Sequence, residues 1–535
     1  MPSNASPDDA VVNKKQVILN AASNYARLGI VTLTGVIVQA YVIRKLGREQ
    51  YSILPIVQTA IMLFAIFPAA LGNGAARTMA VALGSRDSNR VAQITTSVFL
   101  PLCALAAIFL AGIGIIAYFF DSIFTVPAGM RGVGGKVLLV LGIGGTVAIP
   151  FSIFRSGLLA SQRFDAANSI DILSAIVRMP LVFLGFGLFQ IGLFGFVVIN
   201  AIVSACGALG QWLLARRLMP LQRVKLGNFD LKTAKEVGHF SGYLLAMSLI
   251  GLLFSRGSYI IINKLLDPTL LTGYSVVSDI LGQCGALIST GAMVLLPSVA
   301  ILHAAGDKER IYRVAVRSSR VLAGVIFPVL AFAAVFGDRL LTIYIGKHYA
   351  SFGIVLAIMS LGVAGSATQE GAGVIAIATG HVKAQTIVGA LVVVIVLALQ
   401  LTFVLLGYGL MGIVIPAVVV TLAHRMLWWP WYLGRVLGCG FRKYFTSTIL
   451  IPLLGCLPVT AVFLILRKAG FGHTLFQLVI IFAFGLFAHS LAYGRIGLDN
   501  QERLYIRRKL RALAGRLLPL AKMRVNKSAA TSALD

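Results

Sequence analysis

Residues 17–43 form an apolar run interrupted by a single charge, Arg27. As a helix, at about 1.5 Å per residue, the run is long enough to cross the hydrocarbon layer of a bilayer. Arg27 lies well inside it, below the headgroups. A guanidinium at that depth costs about 2.5–3.5 kcal/mol on insertion scales, so its place is against protein or water and not lipid. The run closes in Arg44-Lys45-Leu46-Gly47-Arg48-Glu49-Gln50-Tyr51, a short charged turn before the next apolar segment.

The rest of the chain repeats the first run. Hydrophobic residues make up 58% of it and charged residues 12%, against about 25% charged in soluble domains. A chain so poor in polar surface cannot dissolve, and it reads as an all-α polytopic membrane protein. Further apolar runs at 52–76, 91–120, 137–160, 170–190 and 193–215 complete a first set of six. A second set follows at 240–262, 272–302, 321–345, 352–379, 386–406 and 410–433, then a last pair at 445–466 and 474–493. About fourteen transmembrane helices result. The expected division is a cytoplasmic tail (1–16), a six-helix lobe (17–215), a basic connector (216–238), a second six-helix lobe (239–434), a C-terminal helix pair (435–493) and a basic amphipathic tail (494–535).

Loop charge sets the expected orientation. With the N-terminus inside, cytoplasmic segments hold about 31 of the Lys and Arg residues and external loops about nine, the bias that positive-inside topology requires. Both termini are then cytoplasmic. Most of the net charge of +28 is that bias, and its dispersal over loops argues against a nucleic-acid groove. The polar, acidic N-terminus is not expected to act as a cleavable signal. All external loops are short, the longest at about 121–136, which leaves no room for a catalytic domain. Neither a Ser/His/Asp set nor a His/Cys metal spacing stands out, so the chain is not expected to be an enzyme or to hold a metal or other cofactor. The five cysteines, Cys103, Cys206, Cys284, Cys439 and Cys456, read as core fillers. Gly142-Ile143-Gly144-Gly145 lies inside an apolar helix and reads as a helix-packing surface.

The two six-run sets echo each other. Arg44-Lys45-Leu46-Gly47, Tyr51, a long apolar run and Ala82-Leu83-Gly84-Ser85-Arg86-Asp87 before Arg90 describe the first. Asn263-Lys264-Leu265-Leu266, Tyr274, a long run and Ala304-Ala305-Gly306-Asp307 before Arg313 describe the second. Weak internal symmetry of this kind marks transporters built from repeats, with the substrate path expected between the halves. Pro150 and Pro297 are candidate hinges. Trp428-Trp429-Pro430-Trp431-Tyr432 reads as an aromatic belt at the cytoplasmic headgroups, and Arg425 as a snorkelling residue beside it.

Among the charges inside the spans are Arg27, Arg155, Arg178, Arg256, Asp171, Asp279 and Glu370. Intramembrane charge is expensive and points by default to function, the alternative being ion pairs that hold helices together. Four arginines against three acids suit an anionic substrate, and the planar guanidinium fork suits phosphate oxygens in particular. Matched depth suggests the pairs Arg256–Asp279 and Arg27–Glu370. Asp171 and Arg178 share a helical face but stand too far apart along it to touch.

A first span with a buried arginine closed by R-x-L-G-x-x-x-Y resembles the opening of the polysaccharide flippases, in the superfamily that also holds MATE multidrug exporters and lipid II flippases. Arg155-Ser156-Gly157-Leu158-Leu159-Ala160-Ser161-Gln162-Arg163-Phe164-Asp165 resembles the segment at the inner end of their fourth span. Tyr344-Ile345-Gly346-Lys347-His348-Tyr349 resembles their external turn after span nine. The likeness covers residues 17–433. It implies a flippase in the bacterial inner membrane that moves undecaprenyl-pyrophosphate-linked repeat units outward through a cationic cavity. The likeness carries Arg27 and Arg256 over as lumen arginines; together with Arg178 and Arg155, from the buried-charge pattern, they are the candidate substrate-binding residues, with Asp279, Glu370 and Asp171 as candidates for coupling or pairing. The lipid-linked oligosaccharide and the bilayer are the implied partners, with a polymerase and chain-length proteins beyond them. One departure is notable, since many family members carry an acid near the place of Arg256. The rival functions are a lipid II-type flippase, a cation-coupled drug antiporter and a non-transporting component of a polysaccharide synthase.

Overall fold

The computed structural model describes residues 14–85 and 87–496. Among them are helices, turns and no strands, and thirteen helices are long and apolar enough to cross a bilayer. They are α1 (Lys14–Gly84), α2 (Ser88–Tyr118), α3 (Val133–Ala160), α4 (Phe164–Gly187), α5 (Leu193–Leu218), α6 (Leu231–Leu265) and α7 (Leu270–Ala304). The series continues with α8 (Lys308–Ile345), α9 (Gly353–Ala378), α10 (Val382–Leu405), α11 (Met411–Val436), α12 (Phe441–Lys468) and α13 (Leu475–Ile496). Straight, the 71 residues of α1 would measure about 100 Å, some three hydrocarbon layers. It is instead two limbs broken at Gly47, whose φ of 77° and ψ of 178° are non-helical. Two crossings in α1 and one in each other helix give the expected fourteen.

Gly47 occupies a backbone region reserved for glycine, where a side chain costs roughly 1–3 kcal/mol. Gly47→Ala is therefore expected to lower the thermal stability of the purified protein by about that amount. An unchanged melting temperature would show that the turn does not constrain the chain.

Large apolar side chains such as Leu33, Ile108, Ile115, Phe189 and Phe476 lie exposed on the helices. In water such faces would aggregate; in a bilayer they meet acyl chains. The described protein is a multi-pass membrane protein.

The chain forms two units. Among the described residues, the first comprises 14–279 with Tyr344–Tyr349 and Thr386–Pro416, and the second comprises Ile280–Ile343, Ala350–Gln385 and 417–496. The core of the first joins Met79, Ile94, Leu102, Ile153, Leu158 and Val237, all almost fully buried. Here α3 packs against α1, α2 and α5. Its glycines permit this: a Cβ on Gly142 would stand 2.6 Å from Ile113, and one on Gly144 2.7 Å from Ala201. Those two bear out helix packing. Gly145 differs, with open space where its side chain would be.

The second unit has two cores, one around Val299, Ile375, Trp429 and Tyr444, the other around Phe336, Val459, Phe463 and Leu478. Trp429 is 1% exposed, so it is a core residue and not part of a headgroup belt, whereas Trp431 is 48% exposed. α7 is interrupted between Met293 and Leu296, with Pro297 in the first turn of its second segment, whereas α3 runs unbroken through Pro150. One capping device recurs in each unit. Asp87 accepts a hydrogen bond from the Arg90 amide at 2.9 Å, and Asp307 from the Arg310 amide at 3.0 Å.

The segment between α5 and α6 is shorter than 216–238, because those helices extend to Leu218 and from Leu231. Asp230 caps α6 there; hydrogen bonds from the Thr233 hydroxyl and amide hold its carboxyl below the usual range. Cys284 and Cys456 are buried, Cys103 and Cys439 partly so, and Cys206 is exposed, which removes Cys206 from the core fillers. The amphipathic reading of the basic tail lies outside the described residues beyond Ile496, as do residues 1–13.

Candidate functional site: a shared carboxylate between two arginines

The turn at 161–163 folds α4 back on α3, with Gln162 in the left-handed region at φ 58°. Residues a few positions from such a turn on either side come opposite each other. Arg155 and Asp171 meet in this way, Nη1 to Oδ2 at 3.1 Å. Arg27, on the first limb of α1, reaches the same Oδ2 at 3.3 Å. The second oxygen, Oδ1, accepts from Nε2 of Gln211 on α5 at 3.3 Å. Four helices thus converge on one carboxylate. A turn away, Asn168 donates to Ser23 Oγ at 3.0 Å and to Asn24 Oδ1 at 2.7 Å, tying α1 to α4 a second time.

Two guanidiniums on one carboxylate leave an excess positive charge. The side chains of Arg27, Arg155 and Asp171 are 38%, 28% and 25% exposed, so the excess charge is accessible. Nε of Arg27 and, seven residues along α4 from Asp171, Nε of Arg178 are buried without a hydrogen-bond partner, which leaves unused donors. Arg27 is therefore paired with Asp171 and not with Glu370. Depth along the span suggested Glu370, but the acid that Arg27 contacts is Asp171.

A second cluster in the same unit surrounds Asp279. Arg256 lies 3.9 Å from it, the expected pair at long range, with the guanidinium 4.8 Å from the centre of the Tyr259 ring. The shorter bond to Asp279 comes from Gln39 Nε2 at 2.9 Å. Gln39 also donates to the Tyr51 hydroxyl at 3.2 Å and accepts from the Tyr344 hydroxyl at 3.1 Å. Sequence reasoning missed Gln39 and Gln211 as site residues, and it named Tyr51 and Tyr344 only as parts of motifs; the one signal for the two glutamines is an uncharged amide inside an apolar run. Asp279→Asn should lower thermal stability more than the double change with Arg256→Gln, by about 1 kcal/mol of coupling. Additive effects in that double-mutant cycle would remove the pair.

In the second unit Glu370 accepts from the Ser289 hydroxyl at 2.7 Å and pairs with Arg425 at 3.5 Å. Arg425 thus turns inward to an acid and does not snorkel. It lies in a π-helical turn, His424–Trp428, whose extra residue rotates the helix surface.

Residues 46–354 match the family described as polysaccharide biosynthesis protein. The chain belongs to that family. The matched stretch contains Arg155, Asp171, Arg178, Arg256 and Asp279, while Arg27, Glu370 and Arg425 fall outside it. A relative is the uncharacterized membrane protein EpsK of Bacillus subtilis (strain 168), 19% identical over 443 residues, which are 81% of this chain and 86% of EpsK. Solved structures share the fold. The lipid II flippase MurJ in an inward closed conformation gives a TM-score of 0.67 at 14% identity, covering 89% of this chain and 99% of that one. An inward-facing MATE family multidrug resistance transporter of the MOP superfamily gives 0.62 at 14%, covering 79% and 99%. This member of the polysaccharide biosynthesis family therefore shares the fold of these transporters.

Proposed function

We propose that the protein is a flippase that moves an undecaprenyl-pyrophosphate-linked oligosaccharide repeat unit across the bacterial inner membrane for surface polysaccharide synthesis. The observation that carries the reading is the Arg27–Asp171–Arg155 cluster: two guanidiniums share one carboxylate at accessible positions within the spans. A pyrophosphate supplies the missing negative charge, and its oxygens suit paired guanidinium donors. Arg27 and Arg155 hold the pyrophosphate directly, with Arg178 and Arg256 as further cationic contacts. Asp171 positions the first two, and Asp279 and Glu370 serve in coupling or pairing. The family membership supplies the polysaccharide context, and the shared fold supplies a transporter architecture. A polymerase and chain-length proteins act downstream on the exported unit.

Reconstitution tests this reading. Liposomes carrying the lipid-linked oligosaccharide on both leaflets are treated with an impermeant glycosidase. The protein should make the inner-leaflet pool accessible; a pool that stays protected contradicts flipping. Orientation is tested separately. With both termini and the two helical lobes arranged as expected, reporter fusions after Arg223 should read cytoplasmic and fusions at Gly129 and Lys468 external. A cytoplasmic reading at Gly129 would invert the first unit.

A further inference from the structure

Between the second limb of α1, α2 and α3 lies a cavity of about 370 Å³, within the roughly 300–1,000 Å³ range of small-molecule sites. Its walls are mainly apolar: Ile61, Phe64, Ile113 and Ile149 face it, and Ala69 and Gly145 widen it. Asn73, Thr146, Ser152 and Ser156 add polar groups, and one charged side chain is among the lining residues. Arg155 lines the cavity and, through Nη1, holds Asp171. A single guanidinium therefore joins an apolar chamber to the positively charged cluster. That combination suits an amphiphile whose apolar chain lies in the chamber and whose anionic end lies at the arginines.

Gly145 gives this chamber its distinct character. Its neighbours Gly142 and Gly144 are consumed by helix contacts under 3 Å, yet a Cβ at Gly145 would meet nothing within 4 Å. The missing side chain here serves the cavity and not the packing. At roughly 30 Å³ per heavy atom, a water's share of liquid volume, the space holds about a dozen atoms, or two isoprene units.

We propose that this cavity receives the first isoprene units of the lipid-linked substrate, those next to the pyrophosphate. The chamber then selects the carrier lipid by its chain while Arg155 and Arg27 hold its pyrophosphate. The proposal rests on the flippase reading and adds a chain-recognition site to it. Small residues at 69 and 145 leave lateral space for methyl branches, which a straight acyl chain lacks.

The test uses the full-length protein in nanodiscs and compares binding of inorganic pyrophosphate, geranyl pyrophosphate and phosphatidylglycerol. Geranyl pyrophosphate should bind at least about tenfold tighter than inorganic pyrophosphate, the increment expected from burying a small apolar chain. Gly145→Leu, and separately Ala69→Phe from the opposite wall, should bring geranyl pyrophosphate down to the affinity of inorganic pyrophosphate. Melting temperatures of both variants confirm that they are folded. Retention of the tenfold increment in both filled variants overturns the proposal. So does competition by phosphatidylglycerol as effective as that by geranyl pyrophosphate, which would make the chamber a general lipid site. If no pyrophosphate ligand binds the unaltered protein, the flippase reading itself fails and this proposal falls with it.

Discussion

Arg27→Ala is expected to abolish most surface glycan export while leaving the protein near its normal abundance in the membrane. The two halves of that expectation have separate causes. Abundance survives because Asp171 keeps Arg155 at 3.1 Å and Gln211 at 3.3 Å, so no buried charge loses its last partner. Export fails because the pyrophosphate loses one of two guanidiniums, and a hydrogen bond to a charged group contributes about 1.5–3 kcal/mol. On affinity that is a loss of roughly ten- to more than a hundredfold. Arg27→Lys retains the charge but not the planar fork and should fall between the two. Surface glycan and membrane abundance measured together in a strain lacking the chromosomal copy check all three proteins. Full export by a normally abundant Arg27→Ala protein would falsify the substrate role.

Removal of the acid should have the opposite signature. Asp171→Ala leaves Arg27 and Arg155 facing each other without a counter-charge. Breaking a fully buried pair costs about 3–5 kcal/mol; the partial exposure of these side chains reduces that to roughly 2 kcal/mol. A loss of that size lowers the folded-to-unfolded ratio by up to about thirtyfold. Abundance and melting temperature should both fall, and the second change Arg27→Ala should restore part of each by removing one of the unpaired charges. Arg155 retains the Ala167 carbonyl at 3.3 Å in either background. A stable, abundant Asp171→Ala protein, with no recovery in the double variant, would show that Asp171 does not neutralise the arginines.

How far the sequence carried this reading depends on the property in question. Span number was legible because the length of an apolar run is a one-dimensional quantity set by bilayer thickness. The break at Gly47 was legible too, since charge and glycine coincide between two runs. Charge partners were less so. Depth follows from position along a helix, but contact also needs the rotation of each helix about its axis, which apolar sequence scarcely encodes. Arg256 and Asp279 met because their spans are consecutive and share a short loop. Arg27 and Asp171 are 144 residues apart, and depth alone offered Glu370. Arg425 was misplaced because a π-helical turn shifts the surface on which it stands. Gln39 escaped notice because an amide carries no charge and stands out little from its apolar neighbours, although it bridges Asp279, Tyr51 and Tyr344. The dual character of the glycines in α3 also needed coordinates: Gly144 and Gly145 are adjacent, yet one is pressed against Ala201 and the other opens on a cavity.

The central claim is that the Arg27–Asp171–Arg155 cluster receives the pyrophosphate of a lipid-linked glycan. The measurement that tests it most directly is equilibrium binding of that lipid-linked donor to the purified protein and to Arg27→Ala, at two salt concentrations. The account predicts binding that weakens with salt, as a charge-based contact must, and that falls at least about tenfold in Arg27→Ala. Equal affinity of the two proteins, at either salt concentration, would contradict it.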